Sequence, residues 1–176
     1  MSTRSVLPGR VAAPRSWAAG PRRFSRPSVV TAAAPGSTAP TVIVTGGNTG
    51  IGFETAKSLA SKGMEVTIAC RDSGKADAAV SRIKEAVPSA VVDSMVLDLA
   101  HLSSVKDFSS RYLDSGRKLD ILINNAGVMA CPELQTKDGF ELQLGVNHLG
   151  HFALTNQLLP LLEDPSRCPG YQPFGQ

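Results

Sequence analysis

TVIVTGGNTGIGFETAKSLA, running from Thr41 to Ala60, joins two kinds of pattern through a glycine turn. Thr41 to Thr45 are all β-branched, the composition of a buried strand. Gly46, Gly50 and Gly52 follow, and helix-like sequence then continues to about Lys62, where Gly63 is placed as a C-terminal stop. Glycine lets the backbone turn sharply and come close to a ligand, while the free N–H groups that open a helix attract negative charge. The stretch therefore points to a site for a phosphorylated ligand. A tight turn of purely structural purpose would use the same glycines.

Working outward, apolar β-branched runs recur at Glu65 to Cys70, Val91 to Leu97 and Leu119 to Asn124. Helix-like segments of about 12 to 20 residues lie between them. A helix is predicted over roughly Lys75 to Ala86, ended by Pro88. Another is predicted from near Ser103 to Gly116, and the last from about Gly139 to Leu162, with Phe140, Leu144, Leu149, Phe152 and Leu159 among its apolar residues. Strand alternating with helix implies an α/β fold with a parallel sheet. Right-handed crossovers give the strand order 3-2-1-4, the N-terminal half of a Rossmann-like doubly wound sheet, with a ligand across the carboxyl ends of strands one and four.

The chain of 176 residues carries 18 Lys and Arg against 15 Asp and Glu. Six of those arginines, Arg4, Arg10, Arg15, Arg22, Arg23 and Arg26, precede the first acidic residue, Glu54; the remaining twelve basic residues leave the body mildly acidic. No basic stripe suggests nucleic acid, and no window approaches the roughly 20 apolar residues of a transmembrane segment. Residues 1–34 are rich in Arg, Ser, Ala and Pro, the composition of an organellar transit peptide, with the chloroplast favoured over the mitochondrion. A disordered tail without an address has the same composition. A linker over 35–40, a single partial domain over 41–162 and an irregular tail over 163–176 complete the expected organisation. Cys70, Cys131 and Cys168 match neither a zinc site nor a redox pair.

The second strand ends IACRD. Where a site for an unphosphorylated dinucleotide would place an acid for the ribose hydroxyls stands Cys70, and Arg71 follows it. The charge suits a 2′-phosphate, with Lys75 nearby, so NADP is the expected coenzyme; otherwise Arg71 pairs with Asp72 or Asp77 at the surface. In NNAG, Asn124 to Gly127, two amides can tie the central strands together while Ala126 and Gly127 leave room for a ribose. Asn147, in GVNHLGHFALTNQLL, sits within an apolar helix, where a buried amide needs partners. His148 and His151 are three apart on one helical face with no carboxylate or cysteine at ligand spacing, so no metal is expected and structural or interface roles are.

These motifs, in this order, resemble the short-chain dehydrogenase/reductase family over Thr41 to about Leu162; the spacing in TGGNTGIG is the family's. IACRD, VMACPE and NHLGHF look most like the branch of retinol dehydrogenase-like enzymes, chloroplast-import-associated dehydrogenases and protochlorophyllide oxidoreductase. The resemblance implies that Gly46, Asn48, Gly50, Ile51 and Gly52 cradle the pyrophosphate, Arg71 the 2′-phosphate, Asp98 the adenine, and Asn125, Ala126 and Gly127 the ribose. It implies that Asn147 holds a water in a proton relay. Asp98 would equally serve as an ordinary helix-start acid. The implied reaction is NADPH-dependent hydride transfer to a small-molecule carbonyl or conjugated double bond, with protochlorophyllide reduction as one form. A non-catalytic NADP-binding or regulatory role is the alternative. A homodimer through the helix containing Asn147 is also implied.

The family's acid/base tyrosine, followed four positions later by lysine, is not matched: Tyr112 is followed by Gly116, and Tyr171 by Gly175. The sequence after Leu162, EDPSRCPGYQPFGQ, has neither strand nor helix character, as a truncated frame or splice variant would give. With the family's central fourth strand left as an apolar edge, weak stability, aggregation or partner dependence is expected. Expression from Ala34 onward checks this by sedimentation and thermal melting, and a monomer with a cooperative melt would contradict it.

Overall fold

A computed structural model describes residues 38–163. The leader expected over 1–34 and nearly all of the tail expected over 163–176 lie outside the described residues. Four parallel strands, β1 (Thr41–Thr45), β2 (Glu65–Cys70), β3 (Val92–Val96) and β4 (Ile121–Ile123), form one sheet in the order β3-β2-β1-β4. Val42 stands opposite both Val66 and Ile121, so β1 is paired along both edges. The crossovers contain α1 (Gly50–Ser61), α2 (Ser73–Ala86) and α3 (Leu102–Asp114). The fold is the Rossmann-like arrangement expected.

Alternation along β1 divides the core into two layers. Val42 and Val44 point toward α1 and α2, where they join Phe53, Ala56, Ala60, Ala79 and Ile83. Ile43 points the other way, to Val105, Phe108 and Tyr112 of α3 and to Leu154 and Leu158 of the last helix. With both faces covered, the strand can be apolar at every position, which explains the unbroken run in the sequence.

Two strands are shorter than their composition predicts. β4 loses its ends to local bonding: at one end the Asp120 carboxylate takes the Thr41 N–H at 2.7 Å, and at the other the backbone turns, Asn125 N donating back to Ile123 O at 3.0 Å. β3 is assigned one residue fewer at each end, at half-exposed Val91 and buried Leu97, although Val91 O still accepts from Val66 N at 2.9 Å and Leu97 N still donates to Cys70 O at 3.0 Å. α2 begins two residues earlier than predicted, at Ser73, because the Asp72 carboxylate caps the Lys75 N–H at 3.0 Å.

The last helix departs most from its pattern. It starts at Leu142 rather than Gly139, whose φ of +84° belongs to a turn. The Glu141 carboxylate caps the N–H groups of Gln143 and Leu144, each at 2.7 Å, and these bonds hold its pKa below the usual carboxylate value. A short α4 (Leu142–Leu144) leads into a π-helical turn, Gly145–Gly150, and then α5 (His151–Leu162). Two glycines bring this turn against its neighbours. A Cβ on Gly145 would run into the Thr136 methyl, and one on Gly150 would lie 2.5 Å from Leu99 O.

Of the apolar residues expected in this helix, Phe140 precedes it, and Phe140, Leu144 and Phe152 are exposed; Val146, Leu154 and Leu158 fill the core instead. Among the described residues β4 pairs with β1 alone, and no helix is long and apolar enough to cross a membrane.

Phe108 is fully buried between the sheet and α5. Phe108→Ala is expected to cost about 3–5 kcal/mol, read as a lower urea midpoint of the full chain.

Candidate functional site

Because the four strands are parallel, whatever follows each of them meets at one edge of the sheet. Gly46 follows β1, Arg71 follows β2, Asp98 lies two residues past β3 and Asn125 two residues past β4. The structure thus brings every nucleotide-contacting residue expected from the sequence to a single edge.

The glycine elbow is built by close backbone approach. Gly46 and Gly50 have φ of +65° and +57°, a region glycine occupies at low cost. A Cβ on Gly46 would lie 3.0 Å from the Ala126 Cα, and one on Gly52 would lie 2.5 Å from Gly46 O and collide with the Asn125 amide. Thr49, the residue before α1, makes no side-chain capping bond, and the first turn contains no acid. Those first N–H groups are therefore suited to an anion. Ile51 is 81% exposed on this turn, with Asn48 half-buried beside it.

Arg71 is exposed, and among the described residues no ion pair involves it; pairing with Asp72 or Asp77 is not what the structure shows. Cys70 is buried and donates its thiol hydrogen to Asp72 O at 3.2 Å. Burial pushes its pKa up, so the thiol stays protonated and unreactive. Asp98 is half-buried, and its carboxylate accepts from Ala100 N at 3.0 Å in a local turn ahead of α3. The helix start itself is His101.

The NNAG amides divide their work differently from the expectation. Asn125 ties the central strands, its Nδ2 donating to Thr45 O at 2.9 Å. Asn124 does not join them; its Nδ2 donates to the Thr155 hydroxyl on α5 at 3.1 Å.

Asn147 corrects a second expectation, since its side chain is exposed rather than buried. Val128 N donates to its Oδ1 and its Nδ2 donates to Val128 O, each at 2.8 Å. The amide is thus satisfied by backbone, and the main-chain oxygen lies 3.2 Å from His151 Nδ1. Gly127 lies beside it, where a Cβ would stand 3.4 Å from Asn147 Oδ1. His148 and His151 do not share a face across the π-turn: His148 is exposed, whereas His151 is only 6% exposed and has a structural role.

Thr45 is the residue that sequence reasoning passed over, having counted it only as the end of a strand. Fully buried, its Oγ1 lies 2.9 Å from Asn125 N, 3.0 Å from Ala126 N and 2.9 Å from His151 Nε2. A hydroxyl ending an apolar strand directly before the elbow was the available signal.

Tyr112 lies at the far end of the sheet, its hydroxyl donating to Lys118 O at 2.9 Å. Burial pushes its pKa up to about 12 despite the Arg117 guanidinium 4.7 Å from its ring centre. A phenol so placed is not an acid/base group near neutrality.

The family profile described as short chain dehydrogenase matches residues 40–168. The chain belongs to the short-chain dehydrogenase family. Human retinol dehydrogenase 13 is 52% identical over 129 residues, 72% of this chain and 39% of that protein. A solved protein from Mycobacterium paratuberculosis is 48% identical, with a TM-score of 0.62 over 69% of this chain and 42% of its own. A metagenomic short-chain oxidoreductase solved in complex with NADP is 28% identical, with a TM-score of 0.60 over 70% and 56% of the two chains. The chain thus spans about two fifths of the curated relatives it matches, 39% of human retinol dehydrogenase 13 and 43% of mouse retinol dehydrogenase 11.

Burial holds the His151 pKa below the ordinary 6.5, outweighing the bond to Asn147. The unfolded ring takes up a proton at a pH where the folded one does not, so this contribution is complete above about pH 6.5 and is lost as pH falls through the window below it. Thermal melts from about pH 8 to about pH 5.5 are expected to decline more steeply in the wild type than in His151→Phe.

Proposed function

We propose that residues 41–162 hold NADP(H) for hydride transfer between the coenzyme and an apolar alcohol or aldehyde. One observation carries the reading. An uncapped helix start and two close-packed glycines make a cradle for a pyrophosphate, with Arg71, unpaired among the described residues, at the same sheet edge and Cys70 where a carboxylate would repel a 2′-phosphate. The residues fit the phosphorylated coenzyme: Gly46, Asn48, Gly50, Ile51 and Gly52 for the pyrophosphate, Arg71 for the 2′-phosphate, Asp98 for the adenine, and Asn125, Ala126 and Gly127 for the ribose. Bound there, the nicotinamide supplies the hydride chemistry. Asn147, through its main-chain oxygen, is the group proposed to order a relay water.

The NADP-bound neighbour supports the choice of coenzyme, and the retinol dehydrogenase relatives support an apolar alcohol or aldehyde over an isolated ring double bond. Exposed Leu144 and Phe152, on the helical stretch that contains Asn147, support a homodimer through it. Import into the chloroplast, guided by residues 1–34, rests on their composition.

A second reading, NADP binding without turnover, is favoured by Tyr112. The phenol is remote from the elbow and, with its pKa pushed up to about 12 by burial, a very weak acid.

Fluorescence titration with NADPH and NADH tests the first reading. NADPH is expected to bind more tightly, and Arg71→Ala to weaken it about ten- to a hundredfold while sparing NADH. Absence of affinity for both coenzymes would overturn the proposal. NADPH oxidation with an apolar aldehyde separates the two readings, because saturable binding without turnover supports the second.

A further inference from the structure

One buried imidazole joins the elbow to the helix that faces it. His151 Nδ1 lies 3.2 Å from Asn147 O, and Nε2 lies 2.9 Å from Thr45 Oγ1. A carbonyl oxygen only accepts, so Nδ1 is the nitrogen bearing hydrogen, and in the neutral ring Nε2 is then an acceptor. Thr45 Oγ1 has two lone pairs and one hydrogen. The lone pairs are taken by Asn125 N and Ala126 N, at 2.9 and 3.0 Å, leaving the hydrogen for Nε2 rather than for Ile123 O at 3.3 Å.

The direction of each bond is thereby determined. Thr45 donates to His151, His151 donates to Asn147, and the two NNAG amides donate to Thr45. An apolar side chain in place of the imidazole would leave the hydroxyl free to rotate toward Ile123 O. That oxygen already shares the single Asn125 N–H with Thr45 Oγ1, at 3.0 and 2.9 Å. The lone pairs aimed at the NNAG amides would then lose their fixed orientation. At the same time the Asn147 oxygen would lose the partner that holds it at the start of α5.

We propose that His151 is a positioning residue for the coenzyme site, orienting the Thr45 hydroxyl beneath the NNAG turn and the Asn147 carbonyl across from it. The inference rests on the coenzyme reading above, although the ring itself is too buried to touch a ligand.

Two isosteric changes separate orientation from packing. His151→Gln can keep an acceptor near the Nε2 position, whereas His151→Phe fills similar space with none. In the full chain, His151→Phe is expected to raise the NADPH dissociation constant about tenfold and to speed hydrogen exchange at the Asn125 and Ala126 amides. His151→Gln is expected to stay within about threefold of wild type in both. Equal losses in the two variants, or no change in His151→Phe, would overturn the proposal.

Nitrogen-15 NMR of the unmutated chain supplies a measurement that needs no variant to fold. His151 is expected as the Nδ1–H tautomer at neutral pH, and an Nε2–H tautomer would overturn the bond directions. Should the wild type bind no NADPH, the coenzyme reading fails by itself, while tautomer and amide exchange still decide whether His151 orients Thr45.

Discussion

Gly52 and Gly46 meet Asn125 and Ala126 at distances that leave no room for a side chain on either glycine. Everything at the carboxyl edge depends on that approach. It brings the elbow of β1 against the end of β4, aligns the Asn125 amide with Thr45 O, and turns the opening N–H groups of α1 toward the edge where Arg71 and Asp98 stand. A larger residue at either glycine would separate strand from helix and remove the cradle along with the packing.

The rest of the structure supports that edge from below. β1 is buried on both faces and hydrogen-bonded on both sides, so its register is determined at every residue. At its far end, Thr41 is held by Asp120 and Lys118, and Arg117 pairs with Asp93 at 2.6 Å while covering Tyr112. The ion pair and the phenol thus belong to the anchored end of the sheet and leave the carboxyl end to ligand chemistry. The segment after β4 is tied down as well, with Asp138 accepting from Leu102 N at the start of α3 and Lys137 N donating to Ala100 O.

Much of this was legible in the order of residues because the signals are local. β-branched runs gave β1 and β2 their full lengths, and Gly63 marked the end of α1. The glycine spacing, NNAG and Arg71 all lie where parallel strands must deliver them. What escaped depended on partners distant in sequence. β4 is shortened by a carboxylate bonded to Thr41, 79 positions away, and Asn147 is exposed, with its amide satisfied by the backbone of Val128 on another segment. Thr45 looked like any strand residue because its partners come from two other segments. The π-turn left no periodic trace; its two glycines pack against Leu99 and Thr136, which belong to other segments.

That turn has a bearing on insertions and deletions. A π-helical turn accommodates one more residue than an α-helix would over the same span. Removal of a single position between Leu144 and His151 would let regular α-helical winding close over the gap with little rotation of the flanking segments, because one residue fewer at the steeper α-helical turn per residue sweeps nearly the same angle. His151 and the exposed Phe152 would keep their faces on α5, whereas the groups inside the turn, the Asn147 amide on Val128 among them, would be re-aimed. The extra residue therefore sets where Asn147 sits between two segments whose facing is otherwise fixed, and the length of this short segment is under tighter constraint than its exposed side chains suggest.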